Sequence, residues 1–386
     1  MKWTTSNDHG LAIPRGQASV PDCRPQGASG ADGPIRVLMV GPLPPPIGGT
    51  TVLFQQLTDV LATRRRVILH TINTSRSAGG TKAILHQALA VFMQILRNAR
   101  HSDIITFHAS IRGGRLFAGV VRLASAVSRR RWLFRGFGGD FDLWYERASA
   151  LQRLLFRITV LGAQCVLLET KSSVRYFQGV SRRPVRWYAN SRPFPETPSG
   201  RHSGSPARKF VYVGHVKPCK GILELLQAAD HLPDGVTVDI YGPMSEGLTA
   251  EAFRGRKSHY CGVLQPAQVS GVLTGYDVLV LPTYFEGEGY PGVILEAYTA
   301  GLPVIATRWR SIPEVVDTES GILIEPGDTA QLEEAMTLLI NSVPIMDRLR
   351  SGALAKAKEF SSDVWADKFI DILQDLKDAT RSPTIP

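Results

Sequence analysis

The chain has 386 residues, 44% of them hydrophobic and 20% charged, which describes an ordinary globular protein and excludes a low-complexity chain. This length predicts two or three domains with sizeable cores. The net charge of +10 is unevenly spread: residues 1–200 hold 27 Lys and Arg against 10 Asp and Glu, a net of +17, and residues 201–386 hold 17 against 24, a net of −7. Such asymmetry predicts that the first half meets an anionic surface or polymer.

Cysteine usage and apolar runs indicate the compartment. The four cysteines are widely spaced, without a CxxC pair: Cys23, Cys165, Cys219 and Cys261. This pattern favours a reducing compartment and argues against a disulfide framework or a zinc site. The N-terminus has no apolar core of the kind a signal peptide needs. The longest apolar run, residues 151–168, contains two arginines, so we expect no membrane-spanning helix and a cytoplasmic protein.

The first half alternates strand-like and helical patterns. Residues 1–33 are rich in Gly, Pro, Ser and Ala and predict a disordered tail. The predicted strands are 35–41, 66–70, 103–108, 131–136 and 165–170, with helical patterns at 82–99, 114–127 and 146–161. This alternation predicts a parallel sheet covered on both faces.

A second α/β unit follows a linker. Residues 193–208 are rich in Pro, Gly and Ser, as interdomain linkers are. Strand-like runs then return at 209–214, 236–242, 276–282 and 302–307. The last helix follows Ser361 and Ser362, which are good capping residues. Two consecutive units predict two Rossmann-like domains facing a cleft, with ligands beyond the carboxyl ends of the strands.

The most informative segment follows the strand at 276–282. It contains three glycines: Gly287, Gly289 and Gly292. A helix is expected to begin near Pro291, and its unpaired N–H groups and positive dipole end can hold a diphosphate. Glu288 in the loop and Glu296 in the helix can accept hydrogen bonds from sugar hydroxyls. From these residues alone a capped surface helix is an equally good interpretation, because acidic residues favour helix starts.

The same residues carry a family resemblance. Glu288-Gly-Tyr-Pro-Gly-Val-Ile-Leu-Glu296 closely resembles the signature of family 4 glycosyltransferases, which has two glutamates separated by seven residues. Three flanking pieces are similar to the family as well: 276–280, 300–304 and 312–316. The resemblance extends from about Ile35 to Leu376 and is most specific in the second half.

The resemblance implies a fold and a reaction. It implies the α/β fold called GT-B, with an acceptor domain at 34–195, a nucleotide-sugar donor domain at 205–365 and a helix at 366–380 crossing back. It also implies a retaining hexosyltransferase that uses a nucleotide-sugar as co-substrate and needs neither cofactor nor metal. The reaction expected is transfer of a hexose-type sugar to a glycan or lipid-linked acceptor in surface polysaccharide biosynthesis.

The resemblance also implies roles for the signature residues. Glu296 would bond the nucleotide ribose, and Glu288 the donor sugar hydroxyls. The segment that would support the sugar and phosphates consists of Gly289, Tyr290, Pro291, Gly292 and Val293.

A basic turn follows the strand at 209–214. Lys220 there can neutralise a departing diphosphate. His215, after Gly214, stands where relatives usually have Arg, and it cannot grip phosphate bidentately. Lys217 is the residue that can compensate.

The first half offers weaker candidates. Gly48 and Gly49, before the first helix, resemble the family loop that reaches the donor phosphates, and neither G-x-G-x-x-G nor a Walker A sequence is present. Phe137 stands where many relatives have a histidine near the reacting sugar. His108, at a strand end, is therefore the better polar candidate to face the cleft, with Asp140 as an alternative.

The basic first half predicts a partner. Arginines beside apolar helices, as at 82–99, are typical of proteins that lie on anionic membranes. We expect a peripheral protein on the inner face of the cell membrane, with a polyprenyl-diphosphate-linked acceptor. A nucleic-acid partner is not expected, because no nucleic-acid-binding module is recognisable. Two rivals stay open: a nucleotide-sugar epimerase or phosphorylase on the same fold, and a non-catalytic relative that binds membranes or polyanions.

Overall fold

The computed structural model describes residues 33–75, 80–194 and 204–379. Within these residues the chain forms two parallel sheets of six strands each. The expected tail, except for its last residue, and the linker residues 195–203 lie outside the described residues. None of the described helices is long and apolar enough to cross a membrane.

The first sheet, which we call the N-terminal sheet, has the strand order β2-β1-β3-β4-β5-β6. Its strands are β1 (Ile35–Gly41), β2 (Val67–Asn73), β3 (Ile104–Ser110), β4 (Arg131–Phe137), β5 (Cys165–Leu168) and β6 (Val185–Trp187). The helices between them are α1 (Gly49–Ala62), α2 (Thr81–Ala99), α3 (Ile111–Ser128), α4 (Phe141–Arg147), α5 (Ala150–Ile158) and α6 (Lys171–Gln178).

The second sheet, the C-terminal sheet, has the order β12-β11-β10-β7-β8-β9. Its strands are β7 (Lys209–Val213), β8 (Thr237–Tyr241), β9 (Ser258–Tyr260), β10 (Val278–Leu281), β11 (Val304–Thr307) and β12 (Gly321–Ile324). The accompanying helices are α7 (Ile222–Asp230), α8 (Pro266–Leu273), α9 (Gly292–Thr299), α10 (Thr329–Asn341), α11 (Val343–Glu359) and α12 (Ser362–Asp378).

The apolar runs become strands covered on both faces. Six of the seven residues of β3 are buried, as is typical of parallel strands with helices on each side. One face of the N-terminal sheet is covered by α2 and α3, with Val91 and Phe117 in that core. The opposite face is covered by α1 and α12, with Phe54 and Phe369 in the other core.

The last helix, α12, returns to the N-terminal sheet. Trp365 and Phe369 are buried, and both rings pack against Tyr188, at 5.2 and 5.5 Å between centroids. The Tyr188 hydroxyl donates a hydrogen bond to the Trp365 carbonyl oxygen (2.8 Å). The crossing helix expected from the resemblance is therefore present.

The helix expected at 146–161 is two helices, α4 and α5. Ser149 caps α5: its hydroxyl accepts from the Gln152 N–H (3.3 Å), and the Gln152 side chain accepts from the Ser149 N–H (3.0 Å). Reciprocal capping of this kind starts a new helix and breaks the old one.

Candidate active site

Lys220 and Glu288 meet at the carboxyl ends of two neighbouring strands. Lys220 follows β7 and Glu288 follows β10, and these strands pair in the C-terminal sheet. The Lys220 Nζ lies 2.5 Å from Glu288 Oε2, with side chains only 14% and 11% exposed. The Thr283 hydroxyl donates to the same oxygen (2.8 Å). The sequence-predicted cation and carboxylate are thus brought together as a buried ion pair.

The turn that carries Lys220 depends on a glycine. Gly221 has φ +73°, a left-handed conformation that favours glycine, and a Cβ there would collide with the Pro282 carbonyl. Lys217 and Lys220 both lie over the Phe285 ring, at 4.5 and 4.7 Å from its centroid. This turn therefore holds two cations against the loop that contains Glu288.

Glu296 carries a partner that the sequence did not indicate. Arg192 Nε donates to Glu296 Oε1 (2.8 Å), and the two side chains are 11% and 19% exposed. The Arg192 guanidinium also lies against Gly292 at the start of α9, where a Cβ would collide with it. The carboxylate expected to bond a ribose is thus engaged by an arginine from the segment between β6 and β7.

The other predicted residues of the C-terminal half take different positions. His215 is exposed, and its carbonyl oxygen accepts from the Tyr212 hydroxyl (2.7 Å), while Gly214 lies against the same hydroxyl. Pro291 caps α9, whose first residues are Gly292 and Val293. The expected helix start near Pro291 is confirmed.

Tyr290 is turned toward the N-terminal half instead of an open cleft. Its N–H donates to Glu169 Oε1 (2.6 Å), and its hydroxyl donates to Glu314 Oε2 (2.7 Å). Its side chain is buried. The backbone amide that was expected to support the donor is, in this structure, a link between the two halves.

Glu169 is the buried centre of that link. Its other oxygen accepts from the Gly138 N–H (2.9 Å), so one carboxylate joins the loop after β4 to the loop before α9. Burial raises the pKa of Glu169, and the backbone N–H groups and Arg135 oppose that shift. A Cβ on Gly139 would lie 2.5 Å from the Glu288 carbonyl oxygen, so glycine is needed for this close approach.

His108 is not the open, cleft-facing residue that was expected. Its side chain is fully buried beside the rings of Phe54 and Phe369, at 4.9 and 5.8 Å. Its Nε2 bonds the Thr106 hydroxyl (3.0 Å). Burial, assisted by the charge of Arg135, lowers the pKa of His108 well below its usual value, so the imidazole is neutral.

An Asp-x-Asp sequence, Asp140 and Asp142, follows β4. Burial raises the pKa of Asp140. Both Asp142 oxygens are held by Arg310 from the C-terminal half, at 3.1 and 3.2 Å, and Arg310 also donates to the Gly139 carbonyl oxygen (2.8 Å). In this structure Asp142 joins the two halves.

A cavity of about 690 Å³ opens beside the first helix of the N-terminal half. It is lined by residues at the ends of β1 and β3 and at the start of α1, including Pro42, Ser110 and Thr50. Gly48 caps α1 and Gly49 is its first residue; both are exposed, and a Cβ added to either would meet no atom closer than 4.0 Å. The space at the start of α1 is therefore open, but nothing there requires glycine.

Sequence reasoning missed five residues that link the halves: Arg192, Glu169, Arg310, Asp142 and Glu314. Each acts on a partner far away in the chain; Glu314, for example, accepts from the Lys171 and Ser172 N–H groups at the start of α6 (2.6 and 2.8 Å). Glu314 does belong to the family-like segment 312–316, which was the one signal that pointed to it.

Comparisons with known proteins agree with this architecture. Residues 207–342 match the family described as glycosyl transferases group 1. The sulfoquinovosyl transferase SQD2 of Arabidopsis thaliana is 33% identical over 143 residues, covering 36% of this chain and 27% of that protein. The putative teichuronic acid biosynthesis glycosyltransferase TuaC of Bacillus subtilis is 34% identical over 133 residues, covering 34% and 32%. The aligned segments thus span only about a quarter to a third of these relatives.

A solved structure shows that the likeness in fold covers nearly the whole chain. Anabaena HepE in complex with UDP superposes with a TM-score of 0.67 at 16% identity, covering 88% of this chain and all of that one. The two parallel sheets, the returning helix and the matched segment lead to one conclusion. The chain has the GT-B fold, and its residues 207–342 match the family described as glycosyl transferases group 1.

Proposed function

We propose that the protein is a retaining, metal-independent hexosyltransferase that moves a sugar from a nucleotide-sugar to a glycan or lipid-linked acceptor. The observation that carries the proposal is the buried pair of Lys220 and Glu288 within the family-matching segment. Because the Lys220 ammonium is largely buried and lies 2.5 Å from the Glu288 carboxylate, it has already lost most of its water. It can therefore form an ion pair with a diphosphate oxygen in place of Glu288.

In the proposed reaction the bond between the sugar C1 and the diphosphate oxygen breaks. A bond from the acceptor hydroxyl oxygen to C1 forms on the same face of the sugar, and the hydroxyl proton passes to the departing diphosphate oxygen. Lys220, with His215 and the dipole of α9, stabilises the charge on the departing diphosphate. Glu288 then accepts hydrogen bonds from the sugar, and Glu296 from the ribose.

The donor class is inferred from the relatives. HepE is solved with UDP, which supports a uridine nucleotide for this chain. TuaC is named for teichuronic acid biosynthesis, which supports a surface polysaccharide as the product. The acceptor belongs in the basic N-terminal half, where the cavity of about 690 Å³ opens, and the site of action is the inner face of the cell membrane.

The first test is a thermal-shift screen with UDP-, GDP- and ADP-sugars. A ligand at 100 times its dissociation constant adds about 2.7 kcal/mol of stability, which is easily detected. We expect one nucleotide class to stabilise the wild type, and Lys220→Ala and Glu296→Ala to lose that response while keeping their fold. Exposed Lys209→Ala is the matched control and keeps the response.

Product analysis separates the rivals. With donor alone, an isomerised or phosphorolysed sugar would identify an epimerase or a phosphorylase. Binding of the donor without turnover on any acceptor would identify a non-catalytic relative. Transfer that persists in EDTA supports metal independence; transfer restored only by a divalent cation would overturn it and direct attention to Asp140.

A further inference from the structure

One helix of the N-terminal half turns its apolar stripe toward water. In α5 the side chains of Leu151, Leu154, Leu155 and Ile158 are 65%, 52%, 52% and 45% exposed. Their spacing of i, i+3, i+4 and i+7 places them on one helical face. Phe156 is the buried residue that holds α5 to the core. An amphipathic helix normally buries such a stripe, so its exposure needs a partner.

Two neighbouring helices continue this apolar surface. On α2 the exposed residues are Leu85, Leu89 and Met93, and on α3 they are Leu123 and Val127. The helices α2 and α3 pack side by side, and a cavity of about 680 Å³ lies between them and α5, lined among others by Ile84, Leu116 and Leu155. Of the 16 large hydrophobic side chains exposed in the described part of the chain, nine lie on these three helices. We call this surface the α2–α3–α5 face.

All charged side chains of the α2–α3–α5 face are positive. None of the three helices contains an Asp or a Glu. They carry seven exposed cations: Lys82, Arg97, Arg112, Arg115, Arg122, Arg153 and Arg157. Among the described residues none of the seven lies within ion-pair distance of a carboxylate; Arg153, for instance, bonds the carbonyl oxygens of Tyr145 and Glu146. Their positive charge is therefore not neutralised by the protein.

We propose that the α2–α3–α5 face docks on an anionic phospholipid bilayer, with its leucines in the acyl boundary and its arginines on lipid phosphates. The exposed apolar side chains match the acyl chains of such a bilayer, and the surrounding cations match its anionic phosphates. A second copy of the chain fits poorly. A two-fold contact would press this acid-free face against itself and bring seven cations against seven. The bilayer alone supplies both the apolar phase and the counter-charge.

The docking surface also deepens the proposed function, on which this part of the inference rests. The 680 Å³ cavity and the 690 Å³ cavity share Arg112 and Leu116 in their linings, so the cavity at the face adjoins the one at the carboxyl ends of β1 and β3. An acceptor with an apolar anchor would lie with its polar end in the 690 Å³ cavity and its anchor toward the lipid.

The test is co-sedimentation of the full-length protein with vesicles of phosphatidylcholine, with and without phosphatidylglycerol, in the absence of donor and acceptor. The wild type is expected to bind only the anionic vesicles. The double variant L151S/L154S is expected to bind at least about tenfold more weakly, because two exposed leucines no longer enter the lipid. The double variant V263S/L338S changes two similarly exposed apolar residues of the C-terminal half and is expected to bind as the wild type does.

A second pair of substitutions separates charge from apolarity. K82E/R97E keeps every leucine and is expected to lose the preference for anionic vesicles. Equal binding of wild type and L151S/L154S, or binding that ignores phosphatidylglycerol, overturns the proposal. So does absence of vesicle binding together with a dimer, seen by sedimentation velocity, that L151S/L154S dissociates.

The outcome is independent of the proposed reaction. Nucleotide-sugar binding of L151S/L154S, followed by thermal shift, is expected to equal that of the wild type. Vesicle binding without any sugar transfer overturns the proposed function alone, whereas transfer to a water-soluble acceptor without vesicle binding overturns the docking surface alone.

Discussion

Three glutamates that are not exposed have partners from the opposite half of the chain. Glu169 accepts from the Tyr290 N–H, Glu296 from Arg192, and Glu314 from the N–H groups that begin α6. Hydrogen bonds to an ionised group contribute more than neutral ones, about 1.5–3 kcal/mol. The side-chain positions in the cleft are therefore set by bonds between the halves as much as by each half alone.

Glu169→Gln tests the central link. The glutamine carbonyl oxygen can accept from only one of the two N–H groups, and the amide NH₂ then faces the other N–H. We expect a loss of about 1–3 kcal/mol of unfolding free energy, measured by urea denaturation. Glu334→Gln makes the same change at an exposed position on α10 and serves as the control. Equal stability of E169Q and wild type would contradict the prediction.

His108 makes the stability depend on pH. Its pKa is lowered in the folded state, so above the unfolded value of 6.5 neither state binds the proton. Below 6.5 the unfolded state becomes protonated first, and the folded state loses stability as the pH falls, by at most about 1.4 kcal/mol per pH unit.

The variant His108→Gln is expected to lose this dependence, because its amide cannot titrate. The measurement is the unfolding free energy of wild type and variant at several pH values on both sides of 6.5. Exposed His70→Gln is expected to keep the wild-type slope. Parallel curves for wild type and H108Q would contradict the assignment of a buried, neutral imidazole.

At the scale of elements, α12 completes the core of the N-terminal sheet. Its residues Phe369 and Leu373 are fully buried, and Arg131 from β4 donates to the Leu376 and Ala379 carbonyl oxygens at the helix end (3.4 and 2.7 Å). The cations of the first half also pair with this helix: Arg64 with Asp363, Arg66 with Asp371. These ion pairs neutralise part of the positive charge of the first half with carboxylates of the second half.

Phe369→Ala is expected to destabilise the protein by about 3–5 kcal/mol, because it leaves a cavity among the rings of His108 and Tyr188. Denaturation midpoints and hydrogen exchange in β3 measure the effect. Val364→Ala on the exposed side of the same helix is the control and is expected to change little. A loss confined to the helix, with β3 still protected, would contradict the prediction.

The elements also show what a sequence can predict. Strands such as β1 and β7 have long apolar runs, and their positions were predicted within one residue. The short strands β6, β9 and β12 were missed because three or four residues carry too little periodicity to distinguish them from loops. Glu288 and Glu296 were found through a local signature, whereas Arg192 and Glu169 could not be, because their partners lie 104 and 121 residues away.

At the scale of the whole molecule, the ion pairs between the two halves differ in how far they are exposed to solvent. Arg310 and Asp142 form a largely buried pair, with side chains 21% and 15% exposed. Arg147 and Glu286 form a pair that is 65% and 63% exposed. Exposed pairs contribute about 0–1 kcal/mol, so of these two pairs the buried one is expected to contribute more to the contact between the halves.

Arg310→Ala is expected to let the halves separate in the absence of donor. Small-angle scattering would show a larger radius of gyration, and hydrogen exchange would rise in the loops at 138–142 and 286–292. Arg147→Ala is the control and is expected to behave as the wild type. Identical scattering of R310A and wild type would show that other contacts suffice.

The return of α12 has a consequence for synthesis. The ribosome makes β1 to β6 first and residues 362–378 only after the whole C-terminal sheet. Tyr188 and Phe54 therefore lack the packing of the Trp365 and Phe369 rings until the second half has been translated. Exposed apolar surface during that interval favours aggregation, so the nascent first half is a natural client for a chaperone.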